Sequence, residues 1–374
     1  MKGLQMELSK LLDYTESELM EMSDGDLTAL MSEASSQESL FNTRQLVEKL
    51  SINSLYGALA NRYFPLFNQE IARSITGNGR YYIKKMSNYI GETLQGLKPR
   101  PEPYGVYNDT DSHYFTIEPF MEGLDHLSIN EKTDFADKFY KDNIDPTVQD
   151  SINDFAEELN VFDASVIGAE REIIADRAVF VAKKKYFARV IDSEGVRYTK
   201  PKLKVMGLEL IKSSTPLFSK KYLKESLNII LDSSQDEMTQ WVNDDVKTKY
   251  ISNPLGNIAS VSGVSNIDYT LGDKGIPIGA RSVLVHNKYI TENNLESQYQ
   301  LIQAGTKTKR LYLVEPNPLQ SNIVAFTDDR FIEQFKDYID FDVNFEKGFL
   351  KPLELMTTAL QWDLRRTTAG LDDW

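Results

Sequence analysis

Three prolines fall within five residues, Pro99, Pro101 and Pro103 in "GLKPRPEPYG". Proline lacks the backbone N–H and its ring clashes with the preceding turn, so no helix runs through this stretch. The chain differs in kind on its two sides. Upstream, Leu46, Leu50 and the apolar positions 52, 55 and 59 recur near a 3.6-residue period with no proline between 40 and 60, and residues 68–95 predict a second long helix. Ser23-Asp24-Gly25-Asp26 breaks the earlier helical pattern into pieces. Downstream, "YGVYNDTDSHYFTIEP" is rich in aromatic and β-branched residues and predicts a strand pair. Helices are expected through about residue 160, strands through about 210, and a mixed, mostly helical remainder. This order implies an α+β fold.

The chain has 374 residues, more than one hydrophobic core usually serves, which suggests two or three domains of roughly 100–200 residues each. It contains no cysteine, so disulfides, thiolate metal sites and cysteine nucleophiles are excluded together. Any metal would rest on oxygen or on His113, His126 or His286, and those three are too scattered to suggest a histidine site. No run approaches the roughly 18 uncharged apolar residues of a membrane span, and the N-terminus lacks the apolar centre of a signal peptide. A soluble, unexported protein is expected.

The net charge of −14 argues against nucleic acid as a partner, yet its distribution does not. Residues 1–48 hold ten acids and three bases, a net of −7. Residues 183–224 hold twelve bases and three acids, a net of +9. In that basic stretch Tyr186, Phe187 and Tyr198 are interleaved with the lysines, and "KLKVMG" alternates as a strand with one basic face would. A solvated charge run has the same composition.

Two short stretches carry chemistry. In "NDTDS", Asp109 and Asp111 stand at i and i+2 between strand-forming residues. In extended chain both carboxylates would point one way; in a tight turn they would flank a hairpin tip. Such hard oxygen donors suit Mg²⁺, although Asp, Thr and Ser are also ordinary turn residues. On the first long helix, Lys49, Asn53 and Tyr56 are spaced i, i+4, i+7 and share one face. A row of this kind is often only a solvent-edge stripe. Gly57 beside it costs the helix roughly 0.5–1 kcal/mol against alanine and is better explained where something approaches the backbone.

Taken together these stretches resemble the family B DNA polymerases. "KLSINSLYG" at 49–57 matches their Lys-x-x-x-Asn-Ser-x-Tyr-Gly motif and "YNDTDS" at 107–112 their Tyr-x-Asp-Thr-Asp-Ser motif. "KKKY" at 183–186 is similar to their Lys-Lys-Arg-Tyr motif, and "KPKLKVMGLELIKSSTP" at 200–216 looks like the replicative polymerases of T-even-type phages. The resemblance implies a partial polymerase hand: a helical fingers segment over 1–61, an antiparallel-sheet palm over 62–207 and a mostly helical thumb over 208–374. It also implies template-directed addition of deoxynucleotides to a primer 3′ end with two Mg²⁺ ions. By this resemblance Lys49 contacts the incoming triphosphate, Asn53 supports it, Tyr56 packs beside the nascent pair, and Gly57 gives room. Asp109 and Asp111 fall on metal-binding positions, with Glu172 in "EREIIAD" an acidic position nearby. Tyr107, Lys184, Tyr186 and Lys212 fall on positions that follow the primer-template DNA. Lys185 stands where the family has arginine, and Asn108 where relatives often have glycine.

The family's further aspartate, in an Asp-x-x-Ser-Leu-Tyr-Pro-Ser motif, has no match here, nor does an exonuclease-type Asp-x-Glu stretch. Met1 opens a chain that begins partway into the fingers, which suggests the C-terminal subunit of a split polymerase, with a truncated piece of a longer polymerase as the alternative. A separate N-terminal subunit would then bring the exonuclease and the missing aspartate. The tail 360–374, "LQWDLRRTTAGLDDW", looks like the sliding-clamp-binding peptide of these phage enzymes. The host cytoplasm of a phage-infected bacterium is the implied location. The competing expectation is a non-catalytic DNA-binding or clamp-tethering remnant, which would be expected to lose Asp109, Asp111 or Lys49 first.

Overall fold

A computed structural model describes residues 16–365. Ser23 caps the first long helix, α1 (Asp24–Leu59), by accepting from the Asp26 amide at 3.2 Å, with Asp24 and Asp26 in the first turn. The Ser-Asp-Gly-Asp break is therefore a helix start, and the acids there complement the helix dipole. Helix α1 buries none of its residues. Leu50 is 54 % exposed and Ile52 68 %. The periodic apolar residues predicted the helix; among the described residues Leu46, Leu50, Ile52 and Leu55 remain more than half exposed.

Helix α2 (Gln69–Leu97) starts where the Asn68 side chain accepts from the Ile71 amide at 3.0 Å. Its buried Ile83, Met86, Ile90 and Leu94 recur three or four residues apart and form one stripe. That stripe meets Ile144, Val148 and Ile152, which belong to a continuous helical run made of α3 (Ile129–Phe139), a π turn (Tyr140–Ile144) and α4 (Asp145–Glu158). The triple-proline loop is anchored by Tyr104, 1 % exposed, whose hydroxyl donates to the Lys98 carbonyl at 2.6 Å.

The strand pair is the antiparallel hairpin of β1 (Gly105–Asp109) and β2 (Ser112–Phe115), a two-stranded sheet by itself. The strand-rich stretch forms an antiparallel sheet of β3 (Ile173–Ala182), β4 (Lys185–Ser193) and β5 (Val196–Met206), with β4 central. After helix α5 (Leu217–Asp232) the remainder is not helical throughout. Strands β6 (Ser260–Gly263), β7 (Lys307–Tyr312) and β8 (Ile323–Phe326) form a third antiparallel sheet, against which α6 (Ile278–Glu292) packs.

One large apolar core joins Val179 and Phe187 of the second sheet to Leu223, Leu227, Phe326, Phe331, Phe349 and Leu353. The antiparallel sheets and helices bear out the α+β expectation. Among the described residues no helix is long and apolar enough to cross a membrane.

Candidate active site

The chain turns back at "NDTDS" within two residues. Asp109 pairs with Ser112 in the ladder, leaving Thr110 and Asp111 as the turn. Thr110 has φ +54°, and the Asp111 amide donates to the Asp109 carbonyl at 2.6 Å. An i to i+2 bond around a positive φ is a γ-turn of the rare, strained kind, and a β-branched residue is an unfavourable occupant. Strain of this sort tends to collect at functional sites. The second of the two sequence alternatives therefore holds: the carboxylates flank a hairpin tip, Asp109 half-buried and Asp111 exposed.

The hairpin stands against the turn between β3 and β4. Cross-strand partners Tyr107 and Tyr114 meet Phe180 and Tyr186, with ring centroids 5.3–6.3 Å apart. The Tyr114 and Tyr186 hydroxyls lie 2.8 Å apart. Burial, and then the bond to Tyr114, pushes the Tyr186 hydroxyl well above the usual phenol range. Burial likewise raises Tyr114, and the charges of Glu172 and Asp109 add to the effect. Both phenols are thus held neutral, and both acids lie within electrostatic reach of this aromatic wall.

Lys184 occupies the turn itself, with φ +62°. Its amide donates to the Tyr107 hydroxyl at 2.7 Å, and its Nζ lies 3.3 Å from Asp109 Oδ1. Residues 77 apart in sequence are so brought together: Asp109 and Tyr107 from the hairpin, Lys184 and Tyr186 from the sheet. Glu172 lies beside this group, paired with Lys204 at 2.6 Å rather than with Asp109 or Asp111. Lys212 pairs with Glu209. Lys49, Asn53 and Gly57 are exposed and Tyr56 half-buried on α1. Beyond the helix's own neighbouring backbone, no atom of the described residues lies within 4 Å of the point a Cβ on Gly57 would occupy. Of the residues singled out in sequence, the structure joins the hairpin set with Lys184 and Tyr186, but not with Lys49, Asn53 or Lys212 through any hydrogen bond or ion pair.

Sequence reasoning missed three features around the hairpin and the Lys184 turn. Tyr114 and Phe180 were signalled only by strand alternation. His113 turns its Nδ1 to Asn108 Oδ1, and its Nε2 is buried without a partner; burial lowers its pKa to about 4. Gly207, in "KVMGLEL", lies against the Lys184 main chain.

Asp109 and Asp111 are hard oxygen donors of the type that holds Mg²⁺ together with waters and substrate phosphates. Among the described residues no group of three or more His, Cys, Asp or Glu side chains is arranged to hold a metal ion. Asp109 and Asp111 supply two such donors at the hairpin tip, and Asp109 faces the Lys184 ammonium.

Residues 26–259 match the model of DNA polymerase family B. This chain belongs to that family. It is 30% identical over 385 residues to a DNA-directed DNA polymerase of Escherichia phage RB69, covering 96% of this chain and 42% of that protein. A DNA-directed DNA polymerase of Enterobacteria phage T4 is 29% identical, with 98% and 41% covered. A DNA polymerase 1 of Sulfolobus acidocaldarius is 28% identical over 223 residues, with 59% and 20% covered. The chain spans about two fifths of the length of its phage relatives, and it resembles these T-even-type phage enzymes over nearly all of its own length.

Proposed function

We propose that this chain forms the C-terminal part of a DNA-directed DNA polymerase of phage DNA replication, adding deoxynucleotides to a primer 3′ end. The observation that carries this is the Asp109–Asp111 hairpin tip facing the Lys184 turn in a family B chain. Asp109 and Asp111 would hold Mg²⁺, with Glu172 as an outlying acid. Two such ions, when bound, would activate the primer hydroxyl and neutralise the leaving pyrophosphate.

The chain's own groups would do the rest. Lys49 grips the triphosphate, Asn53 supports it, and Tyr56 and Gly57 shape the space beside the nascent pair. Lys184 and Lys212 reach the primer end, while Tyr107 and Tyr186 set the course of that track. Fingers over 1–61, palm over 62–207 and thumb over 208–374 complete the proposed hand.

The metal site would be finished by a third carboxylate from a separate N-terminal polypeptide that also carries the exonuclease. Two features support such a partner. The hairpin is a two-stranded sheet with open edges, which alone is marginal in water. Helix α1 displays Leu46, Leu50, Ile52 and Leu55 to solvent. The proposed clamp peptide falls mostly on residues 366–374, outside the described residues.

The test is reconstitution with a polypeptide equivalent to the N-terminal part of the phage relatives. In that complex Asp111→Ala should abolish nucleotide addition and leave primer-template binding nearly intact; extension that persists would remove Asp111 from the metal site.

A further inference from the structure

Lys184 can serve the primer end only if its turn is held in place, and two residues on different elements hold it. Gly207 closes β5 with φ +65°, a conformation that favours glycine. A Cβ built on it would lie 2.0 Å from the Lys184 carbonyl oxygen, 3.1 Å from the Lys184 carbonyl carbon and 3.3 Å from Lys185 Cγ. The obstruction is main chain, which cannot swing aside as a side chain can. On the other side the Tyr107 hydroxyl accepts the Lys184 amide at 2.7 Å. Lys184 is itself in the left-handed region, where a non-glycine residue persists only under constraint from its surroundings. The register places this contact just past the end of the ladder, because its last pair is Tyr186 with Met206, the residue before Gly207.

We propose that Gly207 is a positioning residue: with Tyr107 it fixes the Lys183–Lys185 turn so that the Lys184 ammonium is presented to the hairpin tip and the primer end. This rests on the reading of Lys184 as a primer contact. Gly207 touches no reacting atom. Its bare Cα lets the end of β5 close on the turn, and any side chain there pushes Lys184 away from Asp109.

Two readouts on the full chain test it. Amide hydrogen exchange over residues 181–187 should accelerate in Gly207→Ala and in Tyr107→Phe, while the buried centre of β4 keeps its protection. Binding of a fluorescent primer-template duplex should weaken in both variants on the order of tenfold, as for loss of one charged contact. In a Lys184→Ala background Gly207→Ala should not weaken binding further. Unchanged exchange in both variants would overturn the proposal, as would an undiminished binding loss in the Lys184→Ala background. If Lys184→Ala alone binds the duplex like the wild type, the primer-contact reading falls, and the exchange result still decides whether Gly207 fixes the turn. Should Gly207→Ala fail to fold, Tyr107→Phe, which removes only the hydroxyl that accepts the Lys184 amide, carries the exchange readout.

Discussion

Lys49 and Lys184 are both lysines assigned to phosphate-bearing ligands, yet they stand in opposite surroundings. Lys184 is held through its amide by Tyr107 and through its Nζ by Asp109, and its carbonyl lies close against the bare Cα of Gly207. Lys49 rides on a 36-residue helix with no buried residue, and it is exposed, with no ion pair among the described residues. A preorganised group loses little freedom when its ligand arrives, whereas an unsupported one must be ordered at that moment. The primer-facing part of the proposed site is therefore built within this chain, while the triphosphate-facing part awaits something to rest on.

The sharpest way to break this contrast is to remove the hairpin's charge. In the reconstituted enzyme Asp111→Ala should lower single-turnover nucleotide addition on the order of a thousandfold or more, the several kcal/mol a metal contributes to the transition state. Lys49→Ala should mainly raise the nucleotide concentration needed; equal losses from both would erase the distinction.

Stability should divide along the same line. Phe331, fully buried, should cost about 3–5 kcal/mol as alanine in a denaturant titration. Leu50→Ala on α1 should stay within about 0.5 kcal/mol in the isolated chain, and should weaken assembly with the N-terminal polypeptide instead. A large loss in the isolated chain would mean that α1 is packed after all.

A smaller effect is expected from Lys184→Ala, which should weaken primer-template binding about tenfold and lower its salt slope by about one. Unchanged affinity and slope would take it off the DNA track.

The smallest effect concerns His286. It is 2 % exposed, its Nε2 faces the Gln300 carbonyl at 3.3 Å, and its Nδ1 is buried without a partner. Burial lowers its pKa below the ordinary 6.5. The unfolded chain therefore takes up a proton near pH 6.5 that the folded one refuses, so stability is full above that pH and falls as the solution is acidified through the lowered value. His286→Gln should flatten this part of the pH–stability curve measured by thermal unfolding; an unchanged curve would locate the proton uptake elsewhere.

The front of the fold was legible because its signals are local. Pro99, Pro101 and Pro103 end α2, Ser23 and Asn68 start helices, and "NDTDS" makes a turn wherever it lies between strands. The third sheet was not, because β6 and β7 are separated by more than forty residues and held by α6 and the large core rather than by their own sequence. "IVAF" in β8 is a four-residue apolar run that serves a helix equally well. Within the site, residue types and spacing identified Asp109 and Asp111, and the resemblance of "KKKY" to a family motif identified Lys184. The meeting of Asp109 with Lys184, the Glu172–Lys204 pair and the role of Gly207 depend on how two sheets meet, which no short stretch encodes.

The most direct measurement is primer extension by this chain alone, with Mg²⁺, all four nucleotides and an Asp109→Ala control. A site completed by a partner's carboxylate predicts no extension from the chain alone and its appearance when the N-terminal polypeptide is added. Extension by the chain alone, lost in Asp109→Ala, would mean that another acid of this chain completes the metal site and would contradict the proposed division of the active centre.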